Sequence, residues 1–234
     1  MLCRIADLYF ELPEAGGLAP RCREYLCEAG EDILSIREED YLLDLWPQLS
    51  YEMACYFESG YQFFLHLISK NGLVLHASAV QWGKRAYLFS AASGMGKSTH
   101  TQLWQQLYGE AAQVFNDDKP ALRLVDDRWY AYGTPWCGKD GINQNKKVPL
   151  AGICFLQRGQ ENRIRRLSSA EALPYVTSQT TWRLNSREEM ECLLSSVEKL
   201  VERIPICLLE CTPDIQAAQL SSETMQQLAD KAGL

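Results

Sequence analysis

The chain has 234 residues, 47% of them hydrophobic, and a formal net charge of -7, enough apolar material for a sizeable core in one large domain or a medium domain with an appendage. That charge excludes a protein that grips nucleic acid or an anionic membrane with its whole surface, so any phosphate site must supply its own positive field. No stretch approaches the length of a transmembrane helix, and Asp7, Glu11 and Glu14 interrupt the apolar run a signal peptide needs, so a soluble, cytoplasmic protein is expected.

Residues 1–48 are short apolar runs broken by Leu12-Pro13, Ala15-Gly16-Gly17 and Ala29-Gly30. This predicts a small β-rich, antiparallel N-terminal segment ahead of a main domain over 49–234. From Tyr51 to about residue 70, Met53, Tyr56, Phe57, Tyr61, Phe64, Leu65 and Ile68 recur at helical spacing, and Asn71-Gly72 supplies a C-terminal cap. LVLHASAV (73–80) and RAYLFSA (85–91) are two strands of a hairpin around Gln81-Trp82-Gly83-Lys84, and the second runs straight into Gly94-Met95-Gly96-Lys97. Helical spacing resumes over Thr99–Tyr108 and ends at Gly109. QVFNDD is a short strand ending in two carboxylates, and PALRLVDDRWYAYGTPW is two strands joined at Asp126-Asp127. LAGICFLQRG (150–159) is a buried strand. Ser168–Ser178 and Ser186–Ile204 read as helices, the second with Ser186 and Glu189 spaced for a capping box. PICLLECTP is a last strand, and a terminal helix follows Thr212. The nine cysteines form no C-x-x-C pair and only three histidines accompany them. They read as reduced, mostly buried small hydrophobes, and a structural zinc site is not expected.

Strand, glycine loop and helix stand in the order a phosphate cradle requires. Ser93, Gly94, Met95, Gly96, Lys97, Ser98 and Thr99 are the nucleotide-binding candidates. Successive backbone N–H groups and the positive helix end face the polyphosphate, Lys97 reaches its β and γ phosphates, and the Ser98 hydroxyl ligates Mg2+. Ala91 replaces the first glycine of G-x-x-x-x-G-K-[ST], which needs only an ordinary φ there. A chance Gly-Lys-Ser at a helix start is the bland alternative. In Asp117-Asp118, one carboxylate can hold Mg2+ while its neighbour accepts the proton of an incoming hydroxyl, and a solvated turn is the alternative. Asp126-Asp127, beside Arg128, reads as a turn.

GTPWCGKDG (133–141) is either a loop that closes on phosphate or acceptor, with Lys139 neutralising charge and Trp136 packing on substrate, or a long hairpin connection with an exposed lysine. Asn143 and Asn145 are weaker candidates. His66 and His100 read as ordinary helix residues, and Cys137 has no base near it in sequence. Arg163, Arg165 and Arg166 form a solvated strand face or, alternatively, a docking site for an acidic peptide.

LHASAV, SGMGKST and NDDKPAL, in this order and at these spacings over about residues 73–160, resemble the catalytic core of the HPr kinase/phosphorylase family, which shares its fold with ATP-dependent phosphoenolpyruvate carboxykinase. The resemblance implies an α/β (α+β) fold with a mixed sheet around a P-loop, and ATP and Mg2+ as cofactors. It also implies Asp117 as the base, His76 beside it, Lys97 and Lys139 as further catalytic groups, and Asp118 with Ser98 as the metal site. The arginine- and asparagine-bearing signature of HPr kinases and their long N-terminal domain are not found. The chain is therefore more similar to small stand-alone relatives, among them kinases that phosphorylate a serine hydroxyl of lasso peptides. The expected reaction is transfer of the ATP γ-phosphate to a hydroxyl, first that of a serine in a peptide or protein, second that of a small hydroxylated metabolite. A nucleotide-binding adaptor without catalysis is the alternative from another class. A hydrolytic switch finds no N-K-x-D motif. Relatives often form hexamers, so the resemblance allows a homo-oligomer, with no motif of this chain that specifies one; nucleic-acid and membrane partners are not expected.

Overall fold

A computed structural model describes residues 1–14, 17–37, 47–180 and 183–234. The predicted turn at Ala15-Gly16 and the end of the N-terminal segment, 38–46, lie outside the described residues. The fold is mixed α/β.

Strands β1 (Leu2–Ile5) and β2 (Leu8–Glu11) form an antiparallel hairpin, turned by Ala6 and Asp7 at positive φ. Helix α1 (Leu18–Arg21) follows, and β3 (Leu34–Ser35) then adds to β2 in parallel. The all-antiparallel expectation is corrected here. The crossover through α1 brings the chain back in the direction of β2, as parallel pairing requires. Phe10, Leu18 and Tyr25 of this segment are buried in the same apolar cluster as Phe63 and Trp136. Phe10 meets Phe63 edge-on, ring centres 5.2 Å apart.

Helix α2 (Tyr51–Ile68) starts where predicted, with Ser50 Oγ accepting the Met53 amide at 3.3 Å. Just past its end, Asn71 has φ 55°, as a capping residue does. The LVLHASAV run then divides into β4 (Gly72–Val74) and β5 (Ala77–Trp82). Leu75 and His76 leave the ladder because their amides bond the carbonyls of Pro120 (3.2 Å) and Gln179 (3.0 Å). After β6 (Arg85–Ser90) and α3 (Lys97–Tyr108) come β7 (Ala112–Asp118), β8 (Ala121–Val125), β9 (Arg128–Tyr132) and β10 (Lys147–Arg158). The rest is β11 (Arg163–Arg166), α4 (Ser169–Thr180), α5 (Arg187–Arg203), β12 (Ile206–Cys211) and α6 (Ile215–Lys231). The main sheet runs β4-β8-β9-β10-β6-β5-β7, with β12 on β10 and β11 on β12.

The 12-residue β10 is where the sheet branches. Its first residues pair antiparallel with β9, and from Leu150 it runs parallel to β6 after a register shift before Gly152, then parallel to β12 from Ile153. A Cβ on Gly152 would stand 3.0 Å from Met225 Cε, so a side chain there would push the end of Met225 on α6 aside by a few tenths of an ångström.

On one face of the sheet α3 and α6 bury Val80, Tyr87, Phe89, Trp104 and Met225. His100 Nε2 and Trp104 Nε1 both meet Ser221 Oγ at 2.9 Å, and burial pushes His100 down to about 4, so a neutral ring ties the two helices together at physiological pH. On the other face α2, α4 and α5 cover Leu88, Ile153 and Phe155 with Leu193, Val197 and Leu200. Ser186 caps α5 by accepting the Glu189 amide at 3.1 Å, but the Glu189 carboxylate answers one residue early, at the Asn185 amide (2.6 Å). All nine cysteines are free thiols. Arg163 and Arg165 are exposed on β11 and pair with Glu161 and Glu171, which is the solvated face expected. Among the described residues no helix is long and apolar enough to cross a membrane.

Candidate active site

The chain leaves β6 at Ser90 and enters α3 at Lys97 through Ala91–Gly96. Gly94 (φ 74°) and Gly96 (φ 100°) are both left-handed, and a Cβ added to either would meet nothing within 4 Å. Backbone conformation therefore demands glycine here, and the space beside it stays open to a ligand. Met95 N donates to Ala92 O at 3.2 Å and His100 N to Gly96 O at 2.9 Å. Among the described residues the amides of Gly94, Gly96, Lys97, Ser98 and Thr99 have no acceptor, so they stand as donors at the positive end of the helix. Ala91 is buried with an ordinary φ, and its carbonyl accepts Lys97 Nζ at 3.0 Å. Losing the first glycine of the pattern thus brings no backbone strain. Burial lowers the Lys97 ammonium below its ordinary value, against the pull of Asp118 and Asp117.

The acidic pair closes β7. Pairing with β5 sets Asp117 opposite Ser78 and Asp118 opposite Ala77. On the other edge the loop after β9 binds the same backbone, with Gly138 N donating to Asp117 O (2.8 Å) and Asp117 N to Ile142 O (3.1 Å). Asp117 is 8% exposed, and its Oδ2 accepts Ser98 Oγ at 3.1 Å. Asp118 has φ 93°, a strained value for a residue with a side chain. Its two oxygens face His76 Nε2 (3.3 Å) and Lys119 Nζ (2.9 Å), while His76 Nδ1 lies 3.0 Å from Gln179 Oε1. Burial works to raise the Asp118 carboxyl, but the His76 hydrogen bond and the Lys119 ammonium outweigh it and hold the group well below the carboxylate range.

A carboxyl depressed on folding contributes stability that is complete above its unfolded pKa, about 4, and is lost as pH falls below that towards the folded value. Asp118→Asn is therefore expected to lower Tm at neutral pH and to flatten the fall of Tm between about pH 4 and pH 2. Asparagine tolerates positive φ, so backbone strain does not confuse the comparison. An acid limb identical to that of the wild type would show that His76 and Lys119 do not hold this carboxylate.

Loop and acids share one cleft of about 890 Å³, whose wall includes every expected nucleotide, metal and catalytic residue except Met95. Met95 turns to the other side of the loop and packs, partly buried, on the cluster around Phe89 and Trp104. Ser98, expected beside Asp118, bonds Asp117 instead. Lys139 is exposed on the cleft wall.

Trp136, in contrast, is no platform for substrate. It is 2% exposed, stacks on Phe63 at 4.6 Å and donates Nε1 to Ser59 Oγ at 3.1 Å. The neighbouring Cys137 pairs with Asp118 at the sheet edge, and the indole fills the core behind it. Asn143 and Asn145 face away from phosphate chemistry as well, with Nδ2 groups donating to Arg21 O (2.7 Å) and Glu24 O (2.9 Å). They fasten the N-terminal segment to the loop. Residues that the sequence reading passed over also stand in the cleft. Lys119 directly follows the acidic pair and was visible there. Arg21 and Tyr56 were hidden by distance in sequence, and Tyr56 merely looked like part of an apolar helix stripe. Its hydroxyl bridges the Cys137 amide (2.8 Å) and carbonyl (2.9 Å).

The strand, glycine turn and helix have the form of a P-loop. The sequence matches no protein-family profile and no curated protein. Among solved structures it is similar to the HPr(Ser) kinase/phosphatase from Coxiella burnetii, at 11% identity and a TM-score of 0.37, over 66% of this chain and 97% of that one. The functional reading rests on this chain's own side chains.

Proposed function

We propose that the protein transfers the γ-phosphate of ATP to a hydroxyl group, with a serine in a peptide or protein as the favoured acceptor and a small hydroxylated metabolite as the second. The observation that carries this is the meeting of the glycine loop with the acidic pair, joined at Ser98 Oγ and Asp117 Oδ2. Free loop amides and Lys97 suit the phosphates of a nucleotide. Oxygen ligands at neighbouring corners of a Mg2+ octahedron lie about 3 Å apart, and the 3.1 Å between Ser98 Oγ and Asp117 Oδ2 fits that edge. These two residues would hold the metal, which would neutralise charge on the phosphate oxygens.

This exchanges the roles first suggested for the two aspartates. Asp117 is buried against Ser98, whereas Asp118 has 30% of its side chain open to the cleft and can reach a hydroxyl. The acceptor oxygen bonds the γ-phosphorus as the bond to the bridging oxygen breaks. ADP departs, and the hydroxyl proton passes to the Asp118 carboxylate, which His76 and Lys119 keep aimed and ionised. The cost of holding Asp118 at positive φ suits a group whose orientation matters.

Mass spectrometry of serine peptides and small alcohols incubated with the protein, ATP and Mg2+ tests the proposal. A gain of one phosphate that requires Mg2+ is the expected result. Tight ATP binding with no transfer to any hydroxyl would leave the non-catalytic adaptor in its place.

A further inference from the structure

Part of the cleft wall comes from neither the glycine loop nor β7. The N-terminal segment and α2 supply it, through Gly17, Arg21, Met53 and Tyr56. Arg21 is half-buried there and held at both ends. Its backbone carbonyl accepts Asn143 Nδ2 at 2.7 Å, and its guanidinium lies 4.6 Å from the centre of the Tyr56 ring, which the Cys137 backbone fixes in turn. Among the described residues its side chain makes one hydrogen bond, Nη1 to Cys137 O, long at 3.4 Å. Among the described residues no carboxylate lies within ion-pair distance of it.

The other cations of the cleft are engaged, Lys97 with the Ala91 carbonyl and Lys119 with Asp118, or exposed to solvent, as Lys139 is. Arg21 therefore presents a positioned fork of N–H donors with most of its capacity open. Keeping such a charge half out of water without a counter-ion is unfavourable unless a ligand completes it. Planar guanidinium matches carboxylate and phosphate in bidentate fashion, which gives direction as well as charge.

We propose that Arg21 recognises the acceptor, and that the acceptor carries an anionic group, carboxylate or phosphate, close to its reacting hydroxyl. The inference rests on the kinase reading only in calling this wall the acceptor side. An acidic residue beside a serine in a peptide and the acid group of a free hydroxy acid present the same chemistry, and the test separates them.

Binding to the full chain in the presence of Mg-ADP would be measured by anisotropy for two labelled peptides, one with serine between aspartates and its twin with serine between asparagines. Unlabelled glycerate and glycerol would serve as competitors. The acidic peptide is expected to bind about tenfold tighter than its twin, glycerate to compete where glycerol does not, and Arg21→Gln to erase both preferences. Arg21→Lys, which keeps the charge but not the fork, should fall between. Competition by glycerate without a peptide preference would assign the site to a small acid, and the reverse to a peptide. Equal binding of acid and neutral probes, or a preference that survives Arg21→Gln with the thermal melt unchanged, overturns the proposal. So would a loss of Mg-ATP affinity in Arg21→Gln, which would put the residue on the nucleotide. If the acid preference depends on Arg21 in a chain that binds no nucleotide, the anion site stands and the kinase reading falls.

Discussion

Lys97→Met is expected to reduce phosphoryl transfer by about a hundredfold to a thousandfold, the scale on which removing one preorganised charge-stabilising group acts. The ammonium is the buried cation at the foot of the glycine loop, tethered at 3.0 Å to the Ala91 carbonyl. A methionine keeps the unbranched stem and most of its packing while removing the terminal ammonium, so the loss reports chiefly on the charge. The same variant carries a stability prediction of the opposite sign. Because burial lowers the Lys97 ammonium, its charged form is less favourable in the folded chain than in the unfolded one. Removing the charge should leave Tm unchanged or raise it, even though the Ala91 carbonyl loses its donor. A large fall in Tm with transfer intact would mean that Lys97 holds the loop together and does not handle phosphate. Transfer to a responsive acceptor and a thermal melt on one preparation decide between these.

Asp117→Asn is expected to raise the Mg2+ concentration needed for half-maximal nucleotide binding by more than about a hundredfold, beyond the range seen when groups that only orient a metal ligand are lost. Asparagine keeps one oxygen and can still accept the Ser98 hydroxyl, so the local fold should survive, while the formal negative charge needed for a hard cation is gone. The matching Asp118→Asn variant should behave differently, with binding of Mg-ATP close to that of the wild type and transfer largely lost. Titrating Mg2+ against a fluorescent ATP analogue for both variants separates the two carboxylates. Identical Mg2+ curves for Asp117→Asn and wild type, with transfer abolished, would return Asp117 to the role of base and give the metal to Asp118.

What the amino-acid order showed depended on how local the signal was. The P-loop was legible because Gly94, Gly96, Lys97 and Ser98 sit between a strand of β-branched and aromatic residues and a helix with its own apolar spacing, all within one contiguous stretch. Asn71 and Ser186 announced helix ends for the same reason, since a cap is made by neighbours. The run from 73 to 80 misled because a mostly apolar stretch without a turn signal says nothing of where the ladder partner changes. Leu75 and His76 are pulled out of the strand by Pro120 and Gln179, remote in sequence. Trp136 misled in a similar way. A tryptophan between glycines suggests an exposed loop, and only the position of Phe63 and Ser59 sends it inward.

The sequence by itself determined the glycine loop between strand and helix, the acidic pair after it, the alternation of strands and helices, and the net negative charge. Which aspartate faces Ser98 and which faces His76 was decided by tertiary structure alone, as was the arrival of Arg21 from the far end of the chain. Spacing along the backbone reports which face of a strand or helix a residue occupies. The direction of a carboxylate, or the meeting of segments more than a hundred residues apart, depends instead on how the sheet is ordered and on which loop bonds its edge.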